Sequence, residues 1–379
     1  MTERVSVMKI LVVFGTRPEA IKMCPVIKEL KIHDEIETIV CVTGQHKEML
    51  NPILDTFQIS ADYNMDIMRS RQSLFDITKD VLIKMRAIVQ EEKPDIVLVH
   101  GDTTSAFAAA LASFYMKIPV CHVEAGLRTY DQYSPYPEEF NRQAVDAISA
   151  LFFAPTEAAK NNLIKEGKIK ENIYVTGNTA IDALDITVSD QYTHELLQWA
   201  DKSRLILLTA HRRENLGSSM INMFSAVRET MEEFEDIKVI CPMHLNPDVR
   251  EIVREQLGSM NRVKLAEPLD VVDFHNIMKR SYMVMTDSGG IQEEAPALGK
   301  PVLVMRNTTE RPEGVRAGTL KLIGTEKESI KTAMCELLTN KKLYQTMAES
   351  KNPYGDGKAS KRIVQALLDR WEKQDVWRL

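Results

Sequence analysis

Three stretches in the first half of the chain gather groups that can move protons. Asp102 follows the apolar run 96–100, and Glu124 follows the run 119–123. Glu138 and Glu139 follow a loop of prolines and tyrosines, Tyr133-Ser134-Pro135-Tyr136-Pro137, with Arg128 and Arg142 close by in sequence. Carboxylates held beside apolar strands are raised in pKa by desolvation, which suits them to general acid or base work. Plainer roles fit the same positions. Asp102 stands where it would cap a helix starting at Thr103 and Thr104, and the two glutamates stand where solvated loop charges would.

The second half supplies groups for an anion. His211-Arg212-Arg213 follows the run 205–209, and His244 follows the run 237–241. In the first half Gly44-Gln45-His46 follows the run 37–42 in the same way. One histidine is usually structural or solvated, but three at equivalent strand ends favour a shared use. They lack HxxxH or CxxC spacing, so no metal is expected. Ser288-Gly289-Gly290 follows the run 283–286 and opens an acidic helical start. Backbone N–H groups at such a turn suit a diphosphate, and Glu294, one turn in, suits ribose hydroxyls. Gly15-Thr16-Arg17-Pro18 has the same setting, with Arg17 and Lys22 expected to face a phosphate. It is not GxGxxG, and a plain strand-to-helix turn remains the alternative. Phe274 is either a stacking surface for a base or a core aromatic. The polar loop 308–314 either contacts a ligand or is an exposed turn.

These groups need strands to carry them. Continuous β-branched runs at 10–14, 37–42, 96–100, 119–123, 151–154 and 173–175 predict a parallel sheet buried on both faces. Helical periods at 17–31, 73–92 and 103–116 supply the crossovers. A second series runs 205–209, 237–241, 263–265, 283–286, 301–304 and 320–323, followed by helices at 329–347 and 359–371. The fold class expected is α/β with two Rossmann-like doubly wound domains. Residues 1–176, with 359–379 packing back, form the first, and residues 177–358 the second. A cleft between two such domains is the default ligand site. A chain of 379 residues suits two domains. Its net charge of -6 argues against a nucleic-acid partner. Cys24, Cys41, Cys121, Cys241 and Cys335 lack regular spacing and read as reduced thiols. No run reaches the roughly 18 apolar residues of a membrane helix, so a cytoplasmic protein without a membrane partner is expected.

Eight motifs carry a resemblance: GTRPEAIKM from Gly15, GQH from Gly44, GDTTSA from Gly101, VEAGLR from Val123, SPYPEEFNR from Ser134, HRREN from His211, DSGGIQEEA from Asp287 and TTERPEGV from Thr308. Together they resemble the bacterial non-hydrolysing UDP-N-acetylglucosamine 2-epimerases over nearly the whole chain. The resemblance implies a glycosyltransferase-B-like fold and a cofactor-free, reversible conversion of UDP-GlcNAc to UDP-ManNAc. The route implied is elimination of UDP to 2-acetamidoglucal and re-addition, in a homodimer feeding cell-surface polysaccharide synthesis. Carried over by motif, Asp102, Glu124, Glu138 and His211 are catalytic. Arg17, Lys22, His211, Phe274, Ser288, Gly289, Gly290 and Glu294 hold UDP-sugar. Gln45, His46, Arg71, Gln72, Arg212 and His244 match the place where UDP-GlcNAc binds as an allosteric activator. A glycosyltransferase on the same fold, a hydrolysing epimerase and a catalytically silent nucleotide-sugar sensor are the alternatives. Tyr130 departs from the pattern, standing where a small residue, often glycine, follows VEAGLRT. Asn307 departs too, where an aspartate often precedes TTERPEG.

Overall fold

The strands form where uninterrupted apolar runs are buried on both faces. A computed structural model of the chain describes residues 7–44, 47–69, 72–309 and 311–373. The chain divides into two compact units, Met1–Ile186 with Tyr354–Leu379, and Thr187–Pro353.

In the first unit the strands are β1 (Met8–Phe14), β2 (Ile36–Val42), β3 (Tyr63–Asn64), β4 (Ile96–His100), β5 (Val120–Val123), β6 (Leu151–Ala154) and β7 (Ile173–Val175). They form a parallel sheet in the order β3-β2-β1-β4-β5-β6-β7. The two-residue β3, which pairs Tyr63 with Cys41, is too short to leave a periodic signal in sequence. The second unit holds β8 (Arg204–Thr209), β9 (Ile237–Pro242), β10 (Val263–Ala266), β11 (Met283–Thr286), β12 (Val302–Val304) and β13 (Leu320–Leu322). Their parallel order is β10-β9-β8-β11-β12-β13. In each sheet the order reverses beside the first strand, between β1 and β4 and between β8 and β11. Such switch points are where open α/β sheets bind ligands. Arg17 opens the helix after β1, and the loops after β4, β8 and β11 carry Asp102, His211 and Ser288.

The units divide after residue 186, not at the strand-poor stretch from 177. Helix Thr179–Thr187 buries Ala183 in the first core. Its Asp182 accepts the N–H groups of Ala359 (3.1 Å) and Ser360 (2.6 Å), capping the last helix, Ala359–Glu372. That helix places Ile363, Val364, Ala366 and Leu367 in the same core. Residues 354–358 join this unit because Gly177 and Gly355 meet closely: a Cβ on Gly177 would lie 3.1 Å from the Gly355 Cα. The helix expected at 329–347 is two, Lys327–Thr339 and Lys341–Glu349, broken at Asn340, whose Oδ1 caps Leu343 N–H at 3.0 Å.

Four of the five cysteines are buried and none is paired; burial pushes Cys24, Cys41 and Cys241 up to about 12. Among the described residues no helix is long and apolar enough to cross a membrane.

Candidate active site

The turn after β1 is built around a residue that the sequence reading passed over. Thr16 and Glu19 form a capping box at the start of helix Arg17–Leu30. The buried Glu19 accepts from the N–H groups of Gly15 (2.9 Å) and Thr16 (2.6 Å) with Oε2, and from Thr103 Oγ1 (2.7 Å) with Oε1. It thereby ties the β1 turn to the β4 turn. Its signal in sequence was the Thr-x-x-Glu spacing. Thr103, not Asp102, caps helix Thr104–Tyr115, accepting Ala106 N–H at 3.0 Å. The Asp102 carboxylate is thus spared for other work.

Three acids meet electrostatically at this end of the sheet. Asp102 is raised above the usual carboxylate range by burial; Arg142 opposes that, and the charges of Glu124 and Glu138 add to it. Arg142 Nη2 stands 3.1 Å from Asp102 Oδ2, while Asn141 Nδ2 donates to the Asp102 carbonyl at 2.9 Å. Glu138 opens helix Glu138–Ile148 and is half-buried. Its neighbour Glu139 is fully buried and structural: Oε1 accepts Tyr130 N–H (3.0 Å) and Gln143 Nε2 (2.8 Å). Glu124 sits in the left-handed region, φ 66°, a conformation that a non-glycine residue holds only under constraint. Its Oε1 accepts from Asn178 Nδ2 (2.9 Å) and from Lys22 Nζ. Lys22, expected beside a phosphate, is therefore turned to the acids. His100 Nε2 lies 3.6 Å from Glu124 Oε2; burial holds this imidazole neutral, pushed down to about 3. Arg17 is half-buried at the first position of its helix.

In the second unit Asp287 ties the loop after β8 to the loop after β11. Fully buried, it accepts the His211 N–H (3.0 Å to Oδ2), the Arg212 N–H (3.0 Å) and Asn215 Nδ2 (3.0 Å), while its carbonyl takes Arg212 Nε (2.9 Å). Its carboxylate also lies 3.5 Å from His211 Nδ1. The His211 and His244 rings stack, 5.3 Å apart at 14°. His244 is lowered by burial, then by the nearby His211 and Arg250.

One open pocket of about 690 Å3 is lined by His211, Arg212, His244, Ser288 and Gly289. Residues expected in a substrate site and in an activator site thus share a wall. The Ser288 N–H is taken by Thr286 Oγ1 (2.9 Å), so it is not a free donor. Among the described residues the N–H groups of Gly289 and Gly290 have no such partner.

Glu294 Oε2 lies 3.5 Å from Nε2 of the buried His275, whose Nδ1 is hydrogen-bonded to Thr187 Oγ1 at 2.7 Å. Phe274, half-buried on helix Val271–Arg280, meets His275 edge to face at 6.3 Å. His275 therefore joins Phe274 to Glu294, a link that no spacing in sequence announced. From the polar stretch 308–314, Thr309 Oγ1 donates to Gln292 (2.6 Å) and Arg311 to Glu293 (2.5 Å), while residue 310 lies outside the described residues. Gln45, His46 and Arg71 lie outside the described residues. Gln72 gives its amide to the Ile67 carbonyl and accepts Arg69 N–H at 3.2 Å.

The comparisons with known proteins agree with one another. The UDP-N-acetylglucosamine 2-epimerase family model matches residues 28–368. The chain is 56% identical to the UDP-N-acetylglucosamine 2-epimerase of Bacillus subtilis, over 95% of each chain. It is 49% identical to that of Neisseria meningitidis, over 95% of this chain and 99% of the other. A crystal structure of a putative UDP-N-acetylglucosamine 2-epimerase from Listeria monocytogenes superposes with TM-score 0.92 at 52% identity, covering 97% of this chain and 98% of that one. The Neisseria meningitidis enzyme bound to UDP-GlcNAc superposes with TM-score 0.89 at 48% identity, covering 96% and 100%.

Proposed function

The chain belongs to the UDP-N-acetylglucosamine 2-epimerase family, with its glycosyltransferase-B-like fold, and from that premise we propose that it interconverts UDP-GlcNAc and UDP-ManNAc by elimination and re-addition of UDP. The C2 proton of the sugar has no adjacent carbonyl to stabilise a carbanion, so direct removal without a cofactor is implausible. Elimination avoids the difficulty. The C1–O bond to UDP breaks as a carboxylate takes the C2 proton, giving 2-acetamidoglucal and UDP. Return of a proton to the opposite face of C2, with UDP re-adding at C1, inverts the centre.

This chemistry needs a base, a proton donor on the other face and strong binding of the departing diphosphate. Positioned proton-transfer groups contribute about 10²–10⁴-fold each, and fixed donors stabilise the developing charge. Asp102 and Glu138 are assigned to the two faces of C2, and Glu124, held by Lys22 and Asn178, orients or relays. His211 supports the leaving phosphate, with Arg17, Ser288, Gly289 and Gly290. Glu294 takes ribose hydroxyls and Phe274 lies against the uracil. Lys22, paired with Glu124, lies on the helix that opens with Arg17 and is kept with it on the substrate side. The observation that carries the reading is the Asp102 carboxylate at the β4 strand end, 3.1 Å from Arg142 Nη2 and within electrostatic reach of Glu124 and Glu138.

Activation by a second UDP-GlcNAc is assigned to Gln45, His46, Arg71, Gln72, Arg212 and His244. The shared wall of Arg212, His244 and Ser288 supports close apposition of the two molecules. A homodimer acting in the cytoplasm for cell-surface polysaccharide synthesis completes the proposal. Incubating the protein with UDP-GlcNAc alone in D2O, followed by NMR, tests it. Reversible UDP-ManNAc formation with deuterium at C2 is expected. Free ManNAc with UDP would mean hydrolysis, and turnover only with an added acceptor would mean glycosyl transfer.

A further inference from the structure

Beneath the acidic cluster lies a buried polar chain that the reaction scheme does not use. His122, on β5, is fully buried, and both of its ring nitrogens have partners. Nε2 is 2.8 Å from the Gly101 carbonyl oxygen, and Nδ1 is 2.6 Å from Asp146 Oδ1. A carbonyl oxygen can only accept, so Nε2 carries a hydrogen, and Nδ1 donates to the Asp146 carboxylate. Asp146 is also fully buried. Burial would raise its carboxyl, but His122 and Arg128 more than offset this and hold it below the usual range. Its Oδ2 accepts Gly126 N–H at 3.1 Å and lies 2.7 Å from Arg128 Nη2. Arg128 is anchored in turn by Glu166, through two hydrogen bonds of 2.7 Å.

What this chain touches is specific. Gly101 immediately precedes Asp102 and has φ 65°; Gly126 closes the turn that begins at Glu124 and has φ 84°. Asp146 lies on the helix whose first residue is Glu138. Three acids on three separate elements are thus referred to one imidazole. Any buried histidine needs partners for both ring nitrogens; here they fasten the two left-handed turns whose neighbours carry the carboxylates.

We infer that His122 is a positioning residue for the epimerase reaction, holding the Asp102 turn through the Gly101 carbonyl and, through Asp146, the Glu124 turn and the Glu138 helix. The inference rests on the proposed reaction for its kinetic consequence but not for its geometry. Displacing a reacting group by about 1 Å costs on the order of 10²-fold in rate. Residues that hold UDP are not touched by the chain, so the loss falls on kcat and leaves KM in place.

Two substitutions separate positioning from bulk stability. In His122→Gln the amide nitrogen reaches where Nε2 stood and can still donate to Gly101. In His122→Asn it reaches only where Nδ1 stood and serves Asp146 alone. Each variant keeps one tether and loses the other, so the expected result is that both lose kcat on the order of 10²-fold at unchanged KM. Wild-type kcat in either variant, or a loss that falls on KM instead, overturns the inference. A second measurement needs neither activity nor a variant that folds. In wild-type protein labelled at the histidine ring nitrogens, Nε2 of His122 should carry a hydrogen and show coupling to the Gly101 carbonyl carbon. A bare Nε2 overturns the inference. If the wild type epimerises nothing, the reaction assignment fails, and the nitrogen measurement still decides the tether.

Discussion

Arg142 Nη2 stands 3.1 Å from Asp102 Oδ2 and is the main charge opposing the burial that raises that carboxyl. Removing the guanidinium in Arg142→Gln leaves burial, Glu124 and Glu138 less opposed, so Asp102 rises further. A base must be ionised, and activity carried by it is lost as pH falls through its pKa. The acid limb of the kcat–pH profile should therefore move to higher pH, with neutral-pH turnover down on the order of 10²-fold. An unmoved acid limb would show that Asp102 does not act as the ionised base.

Glu19 makes a second prediction, about stability. Burial raises its pKa more than its three hydrogen bonds lower it. The folded state then holds the proton more tightly than the unfolded one. The stability linked to it is full below the unfolded carboxylate pKa and declines as pH rises through the folded value. Glu19→Gln keeps an oxygen for the Gly15 and Thr16 amides and offers its NH2 to Thr103 Oγ1. That variant should flatten the fall in stability with rising pH. Glu19→Ala orphans buried donors and should cost about 3 kcal/mol. Urea denaturation of both variants from pH 4 to 8 checks this, and a pH dependence unchanged in the Gln variant contradicts it.

Asp287 anchors the loop carrying His211 through two backbone amides and Asn215. In Asp287→Asn one oxygen becomes an NH2 group facing N–H donors. That should cost about 2 kcal/mol of stability and raise KM for UDP-GlcNAc about 10-fold, as the pocket wall at His211 and Arg212 loosens. Steady-state kinetics beside thermal melts test it. A variant that melts early but keeps its KM would make Asp287 a stability residue alone.

The strands were legible because continuous apolar runs have one cheap burial, a parallel sheet covered on both faces. Two-residue β3 escaped, since pairing at Tyr63 leaves no period to detect. The break at Asn340 escaped because apolar spacing continues across it and only the backbone turns. In the site, local spacing found what lay at strand ends: Asp102, Glu124, His211 and Ser288. It gave no sign of contacts that depend on a partner distant in sequence. Lys22 is expected beside a phosphate from its place in a helix, and its contact with Glu124, 102 positions later, had no signal in sequence. Asp287 drew no role from sequence because its donors come from a loop more than seventy residues away.

Tyr130 replaces the small residue expected there, and its backbone shows what that replacement costs. It sits at φ 62° with 60% of its surface exposed, and its N–H goes to Glu139 Oε1. A left-handed non-glycine residue costs about 1 kcal/mol or slightly more, and an exposed ring returns little packing. Glycine removes that strain but loosens the unfolded chain by roughly 0.5–1 kcal/mol, so Tyr130→Gly should fall between neutral and about 1 kcal/mol stabilising. Tyr130→Val, β-branched at positive φ, should lose about 1 kcal/mol or more. Because the Glu139 hydrogen bond uses the backbone, both variants keep it, and the helix bearing Glu138 should stay in place. Equilibrium urea unfolding ranks the three proteins. If glycine proves less stable than valine, the strain at Tyr130 is not what limits this loop.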